Sequence, residues 1–244
     1  MQVARDMART TWPAPSDKDG PLPPLLVALT LTTGLVDAVS YLALGHVFVA
    51  NMTGNIVFLG FAIAGAKGLS ITASLAALAA FLVGAFAGGR LGASSSAHRG
   101  RLLRNAVFVE LVAVGGAVAV AAADPGAVSG AVRYTLIGLL AVAMGVQNSS
   151  ARRLGVADLT TTVLTLTLVG VAADSRAAGG PGSKLGRRAV AVGAMLTGAL
   201  VGGVLVLRVS LAAPLAVALG VLLVTLLAAQ ALSRSKAGWA SPAP

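Results

Sequence analysis

Cysteine is missing from this chain of 244 residues, and histidine occurs only twice. Without cysteine the protein forms no disulfide bond, no thiolate metal site and no cysteine nucleophile. Two histidines are few for a zinc or haem site, and the sequence has no phosphate-loop, dinucleotide-binding or nucleophile-elbow motif. We therefore predict a protein that is not an enzyme and that carries no cofactor.

Charged and aromatic residues are scarce too, at 11% and 4%, whereas 57% of the residues are hydrophobic. A soluble domain cannot bury that much apolar surface, so the composition indicates a polytopic membrane protein whose main partner is the lipid bilayer. In a soluble protein, the net charge of +10 would point to nucleic acid. Here the basic residues lie in short loops between hydrophobic segments, so we interpret them as a topology signal and predict no nucleic-acid partner.

Six hydrophobic segments are long enough, or nearly so, to cross a bilayer. They cover residues 25–44, 71–89, 105–123, 131–148, 189–207 and 211–232. Two further apolar segments, 47–66 and 156–173, contain polar breaks. Residues 1–23, rich in proline and mixed charges, are predicted to be a disordered cytoplasmic tail. Two membrane repeats follow, 24–124 and 125–233, and then a C-terminal tail, 234–244.

The numbers of Lys and Arg on each side distinguish two topologies, because cytoplasmic loops hold the excess. If all eight apolar segments cross, 11 of these residues lie inside and 7 outside. If the two broken segments enter and leave on one side, 15 lie inside and 3 outside. The second arrangement predicts an all-α protein with six crossing helices, two re-entrant or broken helices, and both termini in the cytoplasm.

The two broken segments share a sequence pattern. Each has a Val-Ala step, then Asn51 or Asp158, then a threonine two residues later, Thr53 or Thr160, which is predicted to cap a short helix. The order crossing, re-entrant, crossing, crossing then occurs twice from opposite sides, as an inverted repeat. Such broken elements line cavities at the midplane of many secondary transporters. The alternative is a duplication that left two kinked packing helices without a transport role.

Ionisable residues inside the spans are the first candidates for function, because they are costly to place in lipid. Asp37 lies in the first span, with Ser40 and Tyr41 on the same helical face, where they are expected to orient its carboxylate. The alternative is a structural Asp37 that hydrogen-bonds backbone amides of the broken segment. Glu110 is interpreted either as the partner of a snorkelling basic residue or as a proton relay.

The two halves align when Gly45 is superposed on Gly155. Asp37 then lies opposite Gln147, so the site would be asymmetric. The amides that begin the short helices would favour an anionic or polar group. The predicted substrate or ion site, which contains no metal, comprises Asp37, Ser40, Tyr41, Asn51, Thr53, Asn55, Gln147, Asn148, Asp158 and Thr160.

Several motifs together resemble the YoaK family of bacterial integral membrane proteins, a family of unknown function. They are Asp-Ala-Val-Ser-Tyr at 37–41, Asn-Met-Thr-Gly-Asn at 51–55, Gly-Val-Gln-Asn at 145–148 and Asp-Leu-Thr-Thr-Thr at 158–162. The resemblance covers residues 25–232. It implies a multi-helix protein of the bacterial inner (plasma) membrane and supplies no substrate.

The residues thus predict a secondary transporter or permease for a small polar solute or ion, with its site between the two broken segments. The alternative is a non-transporting membrane subunit or scaffold for a partner protein. An intramembrane aspartyl protease is disfavoured, because neither 34–37 nor 155–158 matches its Gly-x-Gly-Asp motif. Polar residues around a cavity between the breaks would favour transport, whereas a filled centre would favour the scaffold.

Overall fold

A computed structural model describes residues 2–14, 17–95, 98–123, 128, 130–180 and 184–241. The predicted boundary between the repeats, at residue 124, lies outside these ranges. The α-helices of the described residues are α1 (Gln2–Thr11), α2 (Leu22–Ala43), α3 (Met52–Ile63), α4 (Ile71–Ser94), α5 (Arg99–Ala123), α6 (Gly130–Leu154), α7 (Thr165–Ala173), α8 (Leu185–Arg208) and α9 (Ala212–Leu232).

Six of these helices, α2, α4, α5, α6, α8 and α9, are long and apolar enough to cross a membrane. At 1.5 Å per residue they measure roughly 31–38 Å, against about 30 Å for a hydrocarbon core. The helices α3 and α7, with 12 and 9 residues, are roughly 18 Å and 14 Å long and too short to span it. The prediction of six crossing helices and two broken ones is confirmed.

The helices pack in a pattern that repeats between the two halves of the chain. In the first half α2 packs against α8 and α9, and in the second half its counterpart α6 packs against α4 and α5. The last helices of the halves, α5 and α9, pack against each other. The contacts of α2 with α8 and α9 therefore correspond to those of α6 with α4 and α5, as expected for a duplicated unit.

Glycines at the α2–α8 and α4–α6 crossings fix the register of the repeat. A Cβ atom on Gly34 would overlap the backbone of Met195, and one on Gly145 would overlap that of Phe81. Gly145 follows Gly34 by 111 residues, and this spacing places Asn148 opposite Asp37. The predicted pairing of Asp37 with Gln147 is wrong by one residue, because the loop glycines used for that alignment lie outside the packed helices.

The tails lie against the bundle. Where a disordered segment was predicted, α1 crosses the start of α8 at Gly186, whose missing side chain leaves room for the backbone of Val3. In the C-terminal tail Trp239 is buried, with its ring against Gly20. Segments rich in proline and charge are expected to be disordered in isolation. Here Gly186 and Gly20 leave the space into which the two tails pack.

Arg99 joins several chain segments at one end of the bundle. Its guanidinium donates to the carbonyl oxygens of Leu154 and Trp239, at 2.6 Å and 3.3 Å, and to Asp19 at 3.2 Å. These partners belong to the end of α6, the C-terminal tail and the N-terminal segment. Both tails therefore meet the start of α5 at the same end of the molecule.

Candidate functional site

A cavity of about 560 Å³ lies where the two halves of the protein meet. The first half contributes the start of α3 and part of α2, and the second half contributes the end of its broken segment and part of α8. The polar lining residues are Asp37, Asn51, Thr53, Thr162 and Thr165. Among the described residues that line this cavity there is one carboxylate and no Lys, Arg or His.

Asp37 connects the wall of this cavity to the first broken segment. Its Oδ1 atom accepts hydrogen bonds from the backbone amides of Val49 and Ala50, at 3.1 Å and 3.0 Å. Its Oδ2 atom has no hydrogen-bond partner among the described residues. One oxygen therefore positions the backbone, and the other remains available to a ligand.

Ser40 and Tyr41 do not orient the Asp37 carboxylate, contrary to the sequence prediction. The Ser40 hydroxyl donates to the backbone oxygen of Asp37, at 3.2 Å, as buried helical hydroxyls commonly do. The ring of Tyr41 instead stacks on Phe48, with centroids 5.0 Å apart. Two backbone amides of the broken segment bind the carboxylate instead, those of Val49 and Ala50.

Asn55 fixes the same segment from the other side. Its Oδ1 atom accepts from the Phe48 amide at 2.8 Å, and its Nδ2 atom donates to the Phe48 oxygen at 2.6 Å. The side chain is fully buried. Asn55, predicted to bind substrate, thus supplies the hydrogen-bond partners that the Phe48 backbone would have in a continuous helix.

The start of α3 faces the cavity, but its cap differs from the prediction. Asn51 is the N-cap, with its Oδ1 atom accepting a long bond of 3.4 Å from the Gly54 amide. Thr53 lies inside the first turn and lines the cavity without capping the helix. Thr160 caps nothing either, because α7 begins only at Thr165 and its N-cap residue makes no side-chain bond.

The second broken segment is attached to α6 through Asn148. Its Nδ2 atom donates to the Thr162 hydroxyl at 2.5 Å, and Thr162 lines the cavity. Asp37 and Asn148, which correspond in the repeat, thus each hold the break that follows their own helix. Gln147 points elsewhere, and its Nε2 atom donates to Thr33 of α2 at 2.8 Å.

Asp158 does not line the cavity, because Arg188 of α8 binds it. The Arg188 Nε atom lies 2.9 Å from Asp158, and its Nη2 atom lies 2.6 Å from Asp174. The same guanidinium also donates to the Gly170 oxygen of α7. This network spans 30 residues of sequence, so no local pattern identified Arg188. The predicted contribution of Asp158 to the central site is therefore wrong.

Glu110 is fully buried in α5, and neither carboxylate oxygen has a partner among the described residues. The predicted pairing with a snorkelling basic residue is therefore wrong within that part of the chain. Phe48 and Phe58, which were not predicted from the sequence, pack with the ring of Tyr41 beside the cavity, with centroids 5.0–6.1 Å apart. Throughout the described ranges, no group of three His, Asp or Glu residues is placed to hold a metal ion.

A protein-family model described as "Protein of unknown function (DUF1275)" matches residues 25–228. The UPF0700 transmembrane protein YoaK of Bacillus subtilis (strain 168) is 37% identical over 150 residues, which cover 62% of this chain and 65% of that relative. The match therefore spans less than two thirds of the relative's length. No solved structure matches the chain. Together with the six apolar helices, these matches identify an integral membrane protein.

Proposed function

Because the chain belongs to the DUF1275 family, whose function is unknown, we propose a function from its own cavity: a secondary transporter or permease for a small polar solute or ion. The observation that carries the proposal is a cavity with five polar residues in a largely apolar wall, built by both halves of the chain, with a partly buried carboxylate among them. A scaffold has no need of this arrangement. A packed interior would leave few voids larger than a water molecule.

The geometry favours alternating access, in which the cavity opens first to one side of the membrane and then to the other. The broken segments are short and are held to the spanning helices by a few side-chain bonds, so small movements of one half against the other change which side the cavity meets. Asp37 binds the coupling cation or the polar group of the solute through Oδ2. The amides at the start of α3 add a partial positive charge to the cavity.

The orientation we propose places the protein in the bacterial inner membrane with both tails in the cytoplasm. Single-cysteine labelling tests it cleanly, because the chain has no native cysteine. We expect Lys67→Cys, in the turn after α3, to react with an impermeant maleimide in intact cells, and Ser94→Cys, at the end of α4, to react only after lysis. Labelling of Ser94→Cys in intact cells would contradict the orientation.

Transport is tested by a thermal-stabilisation screen of polar metabolites and inorganic cations on the purified protein, followed by uptake of each hit into liposomes. We expect at least one hit that the liposomes accumulate only when the protein is present. Asp37→Asn keeps the Oδ1 acceptor for Val49 and Ala50 and removes the charge, so it should melt like the unaltered protein and lose uptake. Uptake equal to that of empty liposomes for every hit would reject the proposal.

A further inference from the structure

A second concave surface lies between α5 and α9, at the end of the bundle where the tails meet. It encloses about 410 Å³ and is lined by Arg104, Asn105, Phe108, Leu226, Leu227 and Gln230. None of these residues lines the central cavity. We call this surface the α5–α9 groove.

The wall of the groove is apolar and exposed. Phe108 is 56% exposed and Leu227 is 64% exposed, and both lie on helices long enough to span the membrane. Side chains that face outward from spanning helices meet lipid chains. The groove is therefore open to acyl chains along its length and closed only at its bottom, where α5 and α9 pack together.

The mouth of the groove is cationic and ordered. The Nε and Nη2 atoms of Arg104 donate to Asn105 Oδ1, at 3.0 Å and 2.7 Å, and Asn105 in turn donates to Ser95 Oγ at 3.0 Å. No carboxylate among the described residues pairs with Arg104. The guanidinium is thus held in place with its charge uncompensated, which favours a bound anion.

The exposed charged residues that flank the groove along α5 and after α9 are basic. Arg101 precedes Arg104 by one turn of α5, and Arg234 and Lys236 follow the end of α9. Residues 98–109 and 226–241 contain no Asp or Glu. Arg104 lies five residues beyond the start of α5, about 7.5 Å along the axis, from where its side chain extends to the headgroup layer.

We propose that the α5–α9 groove binds an anionic phospholipid, with the phosphate at Arg104 and an acyl chain along Phe108 and Leu227. The apolar wall distinguishes this ligand from a soluble phosphate compound, which would gain nothing from it. The charge distinguishes it from a zwitterionic lipid, whose cationic ammonium group would be repelled by the arginines. The proposal is independent of transport through the central cavity.

Native mass spectrometry of the purified protein with equal amounts of phosphatidylglycerol and phosphatidylcholine tests the proposal. We expect the unaltered protein to retain phosphatidylglycerol preferentially, and Arg104→Gln to lower that preference about fivefold, as expected for one basic residue at a membrane surface. Arg90→Gln is the matched control. Arg90 also lies near the end of a spanning helix beside a phenylalanine, with its guanidinium 6.0 Å from the Phe86 ring, but outside the groove.

Phe108→Ala separates the chain contact from the charge contact, and it should lower retention of both lipids while leaving their ratio intact. Thermal melts followed by circular dichroism check that each variant is folded. Equal retention of the two lipids by the unaltered protein would overturn the proposal. So would an equal loss of preference in Arg90→Gln, or complete displacement of the lipid by inorganic phosphate.

Discussion

The two broken segments occupy equivalent places in the repeat, yet different chemistry holds them. The first segment is held through its backbone amides, by hydrogen bonds to Asp37 and Asn55. The second is held mainly through charges, by the ion pairs of Arg188 with Asp158 and Asp174. The two segments thus occupy corresponding places in the packing pattern but are held by different groups.

The packing register shows where the charges differ. Asn148 takes the place of Asp37 in the second half, and the spacing of 114 residues between Phe81 and Met195 places the buried Ser74 opposite Arg188. The carboxylate on the cavity wall therefore comes from one half only. A symmetric scaffold thus carries an asymmetric site, in which the first half supplies the charge and the second supplies neutral hydroxyls.

The largest effect expected from the comparison is that of Arg188→Leu. This change leaves Asp158 and Asp174 without their cation and removes the contact to Gly170. Breaking a mostly buried ion pair should lower the free energy of unfolding by about 3 kcal/mol or more and increase hydrogen exchange over residues 157–174. Arg187→Gln is the control, since the Arg187 guanidinium makes only long and more exposed contacts, 3.6 Å to Asp19 and 3.5 Å to the Ala157 oxygen. Together they should be worth less than about 1 kcal/mol. Equal effects of the two changes would show that charge does not hold the second segment.

Asn55→Leu tests the side chain that holds the broken segment of the first half. It leaves the amide and oxygen of the half-buried Phe48 without partners and should lower stability by roughly 2–3 kcal/mol, with faster exchange confined to residues 46–55. Asn51→Ala, which removes only the long 3.4 Å cap, should lower it by about 1 kcal/mol or less. Increased exchange in the second segment as well would mean that the two breaks are not held independently.

A smaller effect is expected at Asp37, where two substitutions separate shape from charge. Asp37→Ala removes the acceptor for Val49 and Ala50 and should lower stability by about 1–2 kcal/mol. Asp37→Asn keeps that acceptor and should change stability much less. Chemical denaturation of both variants gives the difference, and a larger loss for Asn than for Ala would show that the charge itself holds the segment.

The features of the fold that depend on local composition were predicted correctly from the sequence. Hydropathy and length identified the six spans, and the polar breaks at 46–55 and 155–162 identified the two short helices. The cost of burying a carboxylate singled out Asp37, and the structure places it on the cavity wall.

The errors concern contacts between distant segments. Asp158 is paired with Arg188, 30 residues away, and α1 docks on Gly186 across the whole first half of the chain. Ser40 and Tyr41 share a helical face with Asp37, but shared position does not decide which donor reaches the carboxylate. Tertiary packing determines these pairings, and they cannot be predicted from a single sequence.

The central claim is that the cavity between the halves is the transport site, and filling it tests that claim most directly. Met195 lines the cavity, whereas the next residue, Leu196, is 66% exposed on the outer face of the same helix. In liposome uptake of the stabilising solute, we expect Met195→Trp to lose at least tenfold in rate and Leu196→Trp to match the unaltered protein, with similar melting temperatures for both variants. Full uptake by a folded Met195→Trp would contradict the account.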